Sequence, residues 1–539
     1  MSKKVFYDDD ARQRVLGGAQ ALYDAVKVTM GPKGRNVVIQ KGYGGPTVTH
    51  DGVTVAEGID LPDDDEATLG YKVGAELIKQ AATKMNKTAG DGTTTVTVLT
   101  YNILKEANRL IAAGHNPMEL RKGVEAAAAD VLASLEKMAE PVAGKQNRVE
   151  EVASISAADA EIGKLIADVI DKVGKDGVVT VEEGKGLKME SEVVEGFTFD
   201  RGYVSPYMTT DTTRMEAAYE KPAIVITDGK ITSVQEFLPI LEKLAQAGKK
   251  DVVLIAEDVE GEALGVLILN KLKGVFNTVA VKAPSFGDRR KDILEDIAIL
   301  TGATVISADR GLTFENVGLD VVGTARKVIV SKDETTIIEG AGTATAITAR
   351  IKHVHAQAGA ATSEYDKENF DKRAAALSGK VAVIKVGGAT ETEIEEKKFR
   401  VDDAVAATKA ALAEGIVPGG GVTLVNLADE VKQKDAGADI LKAALYQPFR
   451  QLMQNAGLNA DALLAQVQAA KPGYGVDVND PGTVVDMKAH GVVDPVMVTK
   501  QAIQNAVSIA ATAMTMGALV VELPVKELPA APAMGGMGY

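Results

Sequence analysis

The sequence predicts a multidomain chain of mixed α+β and α/β architecture, and three observations lead there. Its 539 residues exceed what a single hydrophobic core organises, so length alone implies about three domains. Both ends read as Ala-rich helices, whereas Ile224 to Val330 alternates strand and helix signals. The helical character of the first block returns in the last third, which implies one helical domain built from both chain ends.

Ala11 to Thr29 has a helical pattern and stops at Gly31-Pro32, and Asn36 to Gln40 is a short apolar strand. Thr47-Val48-Thr49-His50 and Val53-Thr54-Val55-Ala56 alternate around Asp51-Gly52, which predicts a hairpin. Three Ala-rich helices follow at Glu66–Lys87, Gly92–Ala113 and Pro117–Met138, with Gly114 and Pro117 marking the last break. From about Pro141 the character changes. A helix at Ile162–Val173 leads to a strand at Gly177–Val181, and strand-and-turn sequence continues through Tyr207. A charged helical stretch from Glu339 to Leu377 ends at Ser378-Gly379, Val381–Val386 is a buried-strand run, and Ala-rich helix resumes from Thr392. The uncharged stretch Gln501 to Val521 is long enough to consider as a membrane span. Its Gln501, Gln504, Asn505, Ser508, Thr512 and Thr515 argue instead for a buried helix in a soluble protein. Ala530 to Tyr539 is a flexible, low-complexity tail.

Composition excludes several function classes. Lys plus Arg total 60 against 75 Asp plus Glu, a net charge of −15, which disfavours nonspecific binding to nucleic acid. Absence of cysteine removes disulfides, thiolate metal sites and thiol catalysis. Aromatic residues are only 4% and tryptophan is absent, so the cores must be built from Ala, Val, Leu and Ile. The start, MSKKVFYDDD, turns acidic without an apolar run, so no signal peptide and a cytoplasmic location are expected. His353 and His355, two apart on a predicted helix, do not share a face and predict no metal site.

The most informative stretch is Ala89-Gly90-Asp91-Gly92-Thr93-Thr94-Thr95, followed by an apolar helical run. Glycine lets a phosphate approach the backbone, and the first-turn N–H groups of a helix attract an anion. The hydroxyls of Thr93, Thr94 and Thr95 add donors, and Asp91 can hold a divalent cation against phosphate oxygens. The plain alternative is that Asp91 caps the helix. No G-x-x-x-x-G-K-[ST] occurs, so this is not a P-loop.

Three further segments have the same Gly/Asp character: Thr29-Met30-Gly31-Pro32, Arg400-Val401-Asp402-Asp403-Ala404, and Glu414 through Gly421. With Asp91 to Thr95, and with the blocks Glu257–Leu264 and Lys282–Arg290, they resemble the group I (GroEL-type) chaperonins in order and spacing from Lys3 to about Pro524. The resemblance implies an equatorial ATP-binding domain at 1–139 and 415–526 and an intermediate hinge domain at 140–195 and 380–414. It further implies an apical domain at 196–379 and a tail at 527–539. That tail is similar to the family's Gly-Gly-Met repeat, cut to about one and a half units.

By the same resemblance, Thr29, Met30, Gly31 and Pro32 shape the nucleotide pocket. His50, where the family commonly has lysine, stands beside the phosphates; a mostly neutral imidazole supplies less charge there. Asp91 ligates Mg²⁺, Gly92 to Thr95 cradle the phosphates, Gly420 abuts the nucleotide and Asp494 meets the ribose. Asp477, Val478 and Asn479 match a base-contacting stretch with different residues, and the alternative is a surface turn. Asp403 is implied to be catalytic by orienting the attacking water; read alone, it is a carboxylate at a helix start complementing the dipole. Asp51 joins the metal or water network, or else serves only its turn. The implied cofactors are ATP, Mg²⁺ and K⁺.

Glu262 to Leu272 is apolar all round at helical spacing, so that helix is either fully buried or faces a partner. In the neighbouring helix, Pro239 suits the first turn and Gly248 the C-terminal cap. The resemblance selects the partner: Tyr203, Ser205, Tyr207, Met208, Leu238, Leu241, Leu264, Ile268 and Leu269 line a groove for nonnative polypeptide and a co-chaperonin. It implies self-assembly into seven-membered rings, two stacked back to back. Lys380 stands where many relatives have a hinge glycine, with Gly379 and Gly196 beside it. A phosphotransferase, or a divergent chaperonin paralogue acting as a scaffold with little turnover, is the alternative.

Overall fold

The computed structural model describes residues 3–40, 46–62, 65–174, 177–184, 186–212, 214–361 and 363–523. The 527–539 tail lies outside them. The chain divides into two compact units. The first takes in the residues up to Asp168, Glu183–Lys188, and those from Val386 onward; the second comprises Val169–Glu182 and Met189–Lys385. Residues of 140–195 and 380–414 fall in both.

The first unit is a helix bundle. Asp8–Val26 packs along Tyr71–Ala89, and Val496–Met514 packs along Thr93–Ala112. Their buried faces carry Leu22, Ile78, Ala81, Ala82, Val96, Leu99, Ile103, Ala502, Ala506 and Ala510. With so few aromatic residues, the helices approach closely. A Cβ at Gly18 would sit 1.7 Å from the Tyr71 carbonyl oxygen, and one at Gly74 would sit 1.9 Å from that of Val15. Glycine at both crossing points is therefore a steric requirement. The chain ends meet: Lys3–Tyr7 pairs antiparallel with Ala518–Glu522, placing Val5 opposite Val520.

One expectation fails in this unit and another holds in part. Asp51-Gly52 is not a hairpin tip; the paired strands are Val37–Ile39 and Thr47–Thr49, and Gly52–Glu57 is a short helix. Asp51 is its N-cap, accepting from Val53 N at 3.2 Å and Thr54 N at 2.8 Å. Capping overrides the strand preference of Val53-Thr54-Val55, and a Cβ at Gly52 would meet Thr94 Oγ1 at 2.4 Å. The uncharged C-terminal stretch is the Val496–Met514 helix followed by the Ala518–Glu522 strand, and no described helix is long and apolar enough to cross a membrane.

A nine-stranded mixed sheet organises the second unit. Asn277–Lys282, Asp251–Ala256 and Ala223–Ile226 run parallel in that order, joined by the helices Val234–Gln246 and Gly261–Leu272. Their apolar runs, Val252 to Ala256 and Thr278 to Val281, are buried, as strands covered on both faces must be. Gly323–Val330, Thr335–Gly340, Glu190–Phe199 and Lys380–Val386 continue the sheet antiparallel. The charged stretch expected from Glu339 is two helices, Ala344–Ala360 and Glu364–Leu377, after a strand that runs to Gly340.

Candidate functional site

A cavity of about 900 Å³ in the first unit brings together every residue expected to touch nucleotide. Thr29 to Pro32, His50, Asp91 to Thr95, Gly420, Asp477 to Asn479 and Asp494 all line it, as do Asp51 and Asp403.

The floor is the start of the Thr93–Ala112 helix. Gly92 occupies the N-cap position with φ of +81°, and no side chain caps this helix. Asp91 is therefore not the cap. Its Oδ1 accepts from Gly92 N at 2.5 Å and its Oδ2 from the Ser156 hydroxyl at 2.8 Å. The first helical bond runs from Val96 N to Gly92 O, so the amides of Thr93, Thr94 and Thr95 have no acceptor within the helix. Thr94 Oγ1 lies 3.0 Å from Thr29 Oγ1, whose hydroxyl donates to Val26 O at 2.9 Å. Asn455 steadies the neighbouring turn, its Nδ2 donating to Lys27 O and Met30 O at 3.0 Å each.

Asp403 also lines the cavity. It sits midway along the 24-residue helix Glu391–Glu414, not at a helix start, so compensation of a helix dipole is not its task. That helix approaches the Asp91 loop closely: a Cβ at Gly90, whose φ is +69°, would meet Ala406 Cβ at 2.2 Å. Arg400 and Glu396, one turn back, pair at 2.7 Å. Asp51 uses both carboxylate oxygens as a cap, with Thr54 Oγ1 also donating to Oδ2 at 2.6 Å. Asp494 lies in the strand Val493–Pro495, paired with Ile416–Pro418, and Asp477 Oδ1 accepts from Asn479 N at 2.9 Å within its own turn.

Burial tunes these groups. Asp494 is pushed up to about 7 by desolvation, with the nearby Asp91 charge adding to the shift. Desolvation also raises Asp91, opposed by the hydrogen bonds from Ser156 and Gly92. His50 is lowered by desolvation, with Glu396 pulling the other way, so its ring is neutral at pH 7. Among the described residues no group of three or more His, Asp or Glu is placed to hold a metal ion. The oxygen donors of Asp91 and the threonines still fit Mg²⁺, which keeps few protein ligands and takes the rest from phosphate and water.

The second unit carries a different surface. The Val234–Gln246 helix starts at Ser233, which caps Gln235 N at 3.3 Å, so Pro239 lies inside the helix rather than in its first turn. Gly248, with φ of +71°, follows the helix end, where Lys249 N bonds Leu244 O at 2.9 Å. Leu238 is 42% exposed, Leu269 49% and Tyr207 69%, while Tyr203, Leu264 and Ile268 are half-buried. Met208 and Leu241, expected in the groove, are core residues at 0% and 3%, and Ser205 is buried. The Met208 sulfur is turned inward, accepting from Ala280 N at 3.3 Å. Leu272 and Val275 join the exposed set without having been singled out. Lys271, also missed, donates from Nζ to the carbonyls of Met208 and Thr209 and so ties the Tyr207 turn to the Gly261–Leu272 helix. Ser156 and Asn455 carried no local pattern that marks them. Arg400 lay inside a quoted segment without a role.

Compared with known families, residues 22–524 match the model of the TCP-1/cpn60 chaperonin family.

Proposed function

This chain belongs to the TCP-1/cpn60 chaperonin family, and from that membership we propose that it is an ATP-driven chaperone of the group I type. The observation that carries the ATPase half is convergence on one cavity: first-turn amides of Thr93 to Thr95, the Asp91 carboxylate, and Asp403 on a separate helix. The amides and hydroxyls of Thr93 to Thr95 would hold the phosphates, and Gly31 and Gly420 would admit the nucleotide edge. Asp494 would meet the ribose, and Asp477, Val478 and Asn479 the base. Mg²⁺, held by Asp91 and joined by K⁺, would neutralise phosphate charge. Asp403 would orient the attacking water and accept its proton, with Asp51 fixing the adjacent turn.

The apolar face of exposed Leu238 and Leu269, with half-buried Leu264 and Ile268 beside them, would capture nonnative polypeptide and then a co-chaperonin. Rings of seven, two of them stacked, complete the proposal; exposed Val5, Tyr7, Val520 and Val38 support self-association. Phosphate release with and without EDTA, run beside refolding of a denatured client with a co-chaperonin, tests it. Mg²⁺-dependent release of inorganic phosphate with recovery of the client is expected. Transfer to a small acceptor would make the protein a phosphotransferase, and client retention without turnover would make it a scaffold.

A further inference from the structure

Ser156 stands out among the groups around the cavity because no motif contains it, yet its hydroxyl is bonded to Asp91. An ionised carboxylate only accepts, so the 2.8 Å bond runs from Ser156 Oγ to Asp91 Oδ2. The other oxygen, Oδ1, accepts from Gly92 N at 2.5 Å. The two bonds fix the carboxylate plane about a torsion that is otherwise broad, and each oxygen keeps a further lone-pair direction. The serine is itself held in place. Its helix, Gln146–Ala157, is tied at the other end by Arg148, whose NH1 donates to Lys488 O at 2.7 Å and to Glu151 Oε2 at 2.7 Å. Lys488 Nζ in turn bonds Glu140 Oε2 at 3.0 Å. One helix thus braces the cavity rim near Met487 and His490 with its first turn and the Asp91 carboxylate with its last.

We infer that Ser156 is a positioning residue: it sets the orientation of Asp91 for the divalent cation that accompanies a bound nucleotide. The inference rests on the proposed reading of Asp91 as the carboxylate that meets that cation. Hydrogen-bond partners of a metal ligand typically contribute tenfold or more to metal affinity.

The test is ATP binding by calorimetry, in EDTA and across a Mg²⁺ titration, on the full-length wild type, Ser156→Ala and Ser156→Thr. Ser156→Ala should raise the half-saturating Mg²⁺ concentration about tenfold, leaving affinity in EDTA and the thermal midpoint essentially unchanged. Ser156→Thr, which keeps the hydroxyl, should restore most of the metal response. A Ser156→Ala protein with wild-type Mg²⁺ dependence, or one that loses affinity equally with and without the metal, overturns the positioning role. If the wild type itself binds ATP no better with Mg²⁺ than in EDTA, the reading of Asp91 falls, and the inference with it.

Discussion

The cavity of the first unit and the apolar helix face of the second hold their surfaces in place by different means. Around the cavity, position is set by backbone and hydrogen bonds: Gly92 at φ of +81°, Asp91 bonded through both oxygens, Asn455 spanning two carbonyls. On the helix face, Leu238 and Leu269 stand in solvent while Leu241 and Leu267 on the same helices are buried. Nothing directional fixes the exposed leucines. A site for a fixed ligand needs oriented donors, whereas a site for varied apolar segments needs area and adaptable side chains. A substitution in the cavity should therefore change chemistry at constant stability, and one on the face should divide sharply by depth.

The largest effect should come from depth. Leu241→Ser removes a core side chain and buries a hydroxyl, and should destabilise by about 2–5 kcal/mol or more, read as a fall in thermal midpoint. Comparable stability in Leu241→Ser and wild type would dissolve the contrast drawn here. Asp403→Ala comes next: turnover should drop about 10²-fold, or about 2.7 kcal/mol in the barrier, with ATP affinity within a few-fold. Parallel loss of binding and turnover would make Asp403 a ligand contact instead.

A smaller effect concerns pH. Asp494 has its folded value raised to about 7 from the ordinary carboxylate range, so the folded state binds more protons than the unfolded one between pH 4 and 7. The nucleotide-free protein should accordingly lose stability as pH rises through that window, by no more than about 4 kcal/mol before solvent in the cavity reduces it. Asp494→Asn should flatten the change in midpoint between pH 5 and pH 8; an unchanged slope would show that Asp494 does not hold its proton. The smallest stability effect belongs to Leu269→Ser, within about 0.5 kcal/mol. That variant, with Leu264→Ser and Ile268→Ser, should nonetheless retain less of a denatured client on a sizing column while ATPase activity persists.

The start of the Thr93–Ala112 helix was legible because glycines and consecutive threonines are read locally, and the sequence places them where the structure has the helix terminus. The parallel strands of the second unit were legible as uninterrupted apolar runs. Asp51-Gly52 has the pattern of a hairpin, but the Asp51 carboxylate caps Val53 and Thr54 and starts a helix, a competing local signal. The other failures depend on neighbours that periodicity does not see. Periodicity marked both Leu241 and Leu238 as apolar and could not say which would be buried. Met208 suited an adaptable surface by residue type, yet its sulfur lies against Ala280. Ser156 and Asn455 act through single hydrogen bonds across the chain, and such bonds leave no spacing to read.

The pairing of the chain ends has a consequence in time. Val496–Met514 covers the face of Thr93–Ala112, about 400 residues earlier in the chain. At ordinary rates of synthesis that interval lasts roughly 20–80 s. Throughout it the Thr93–Ala112 helix has its earlier neighbours Asp8–Val26 and Tyr71–Ala89 but lacks Val496–Met514, while the whole of Met189–Lys385 is made and can close its sheet. Each new copy therefore passes through a stage with an incomplete apolar helix bundle, the kind of chain proposed above as the client of finished copies.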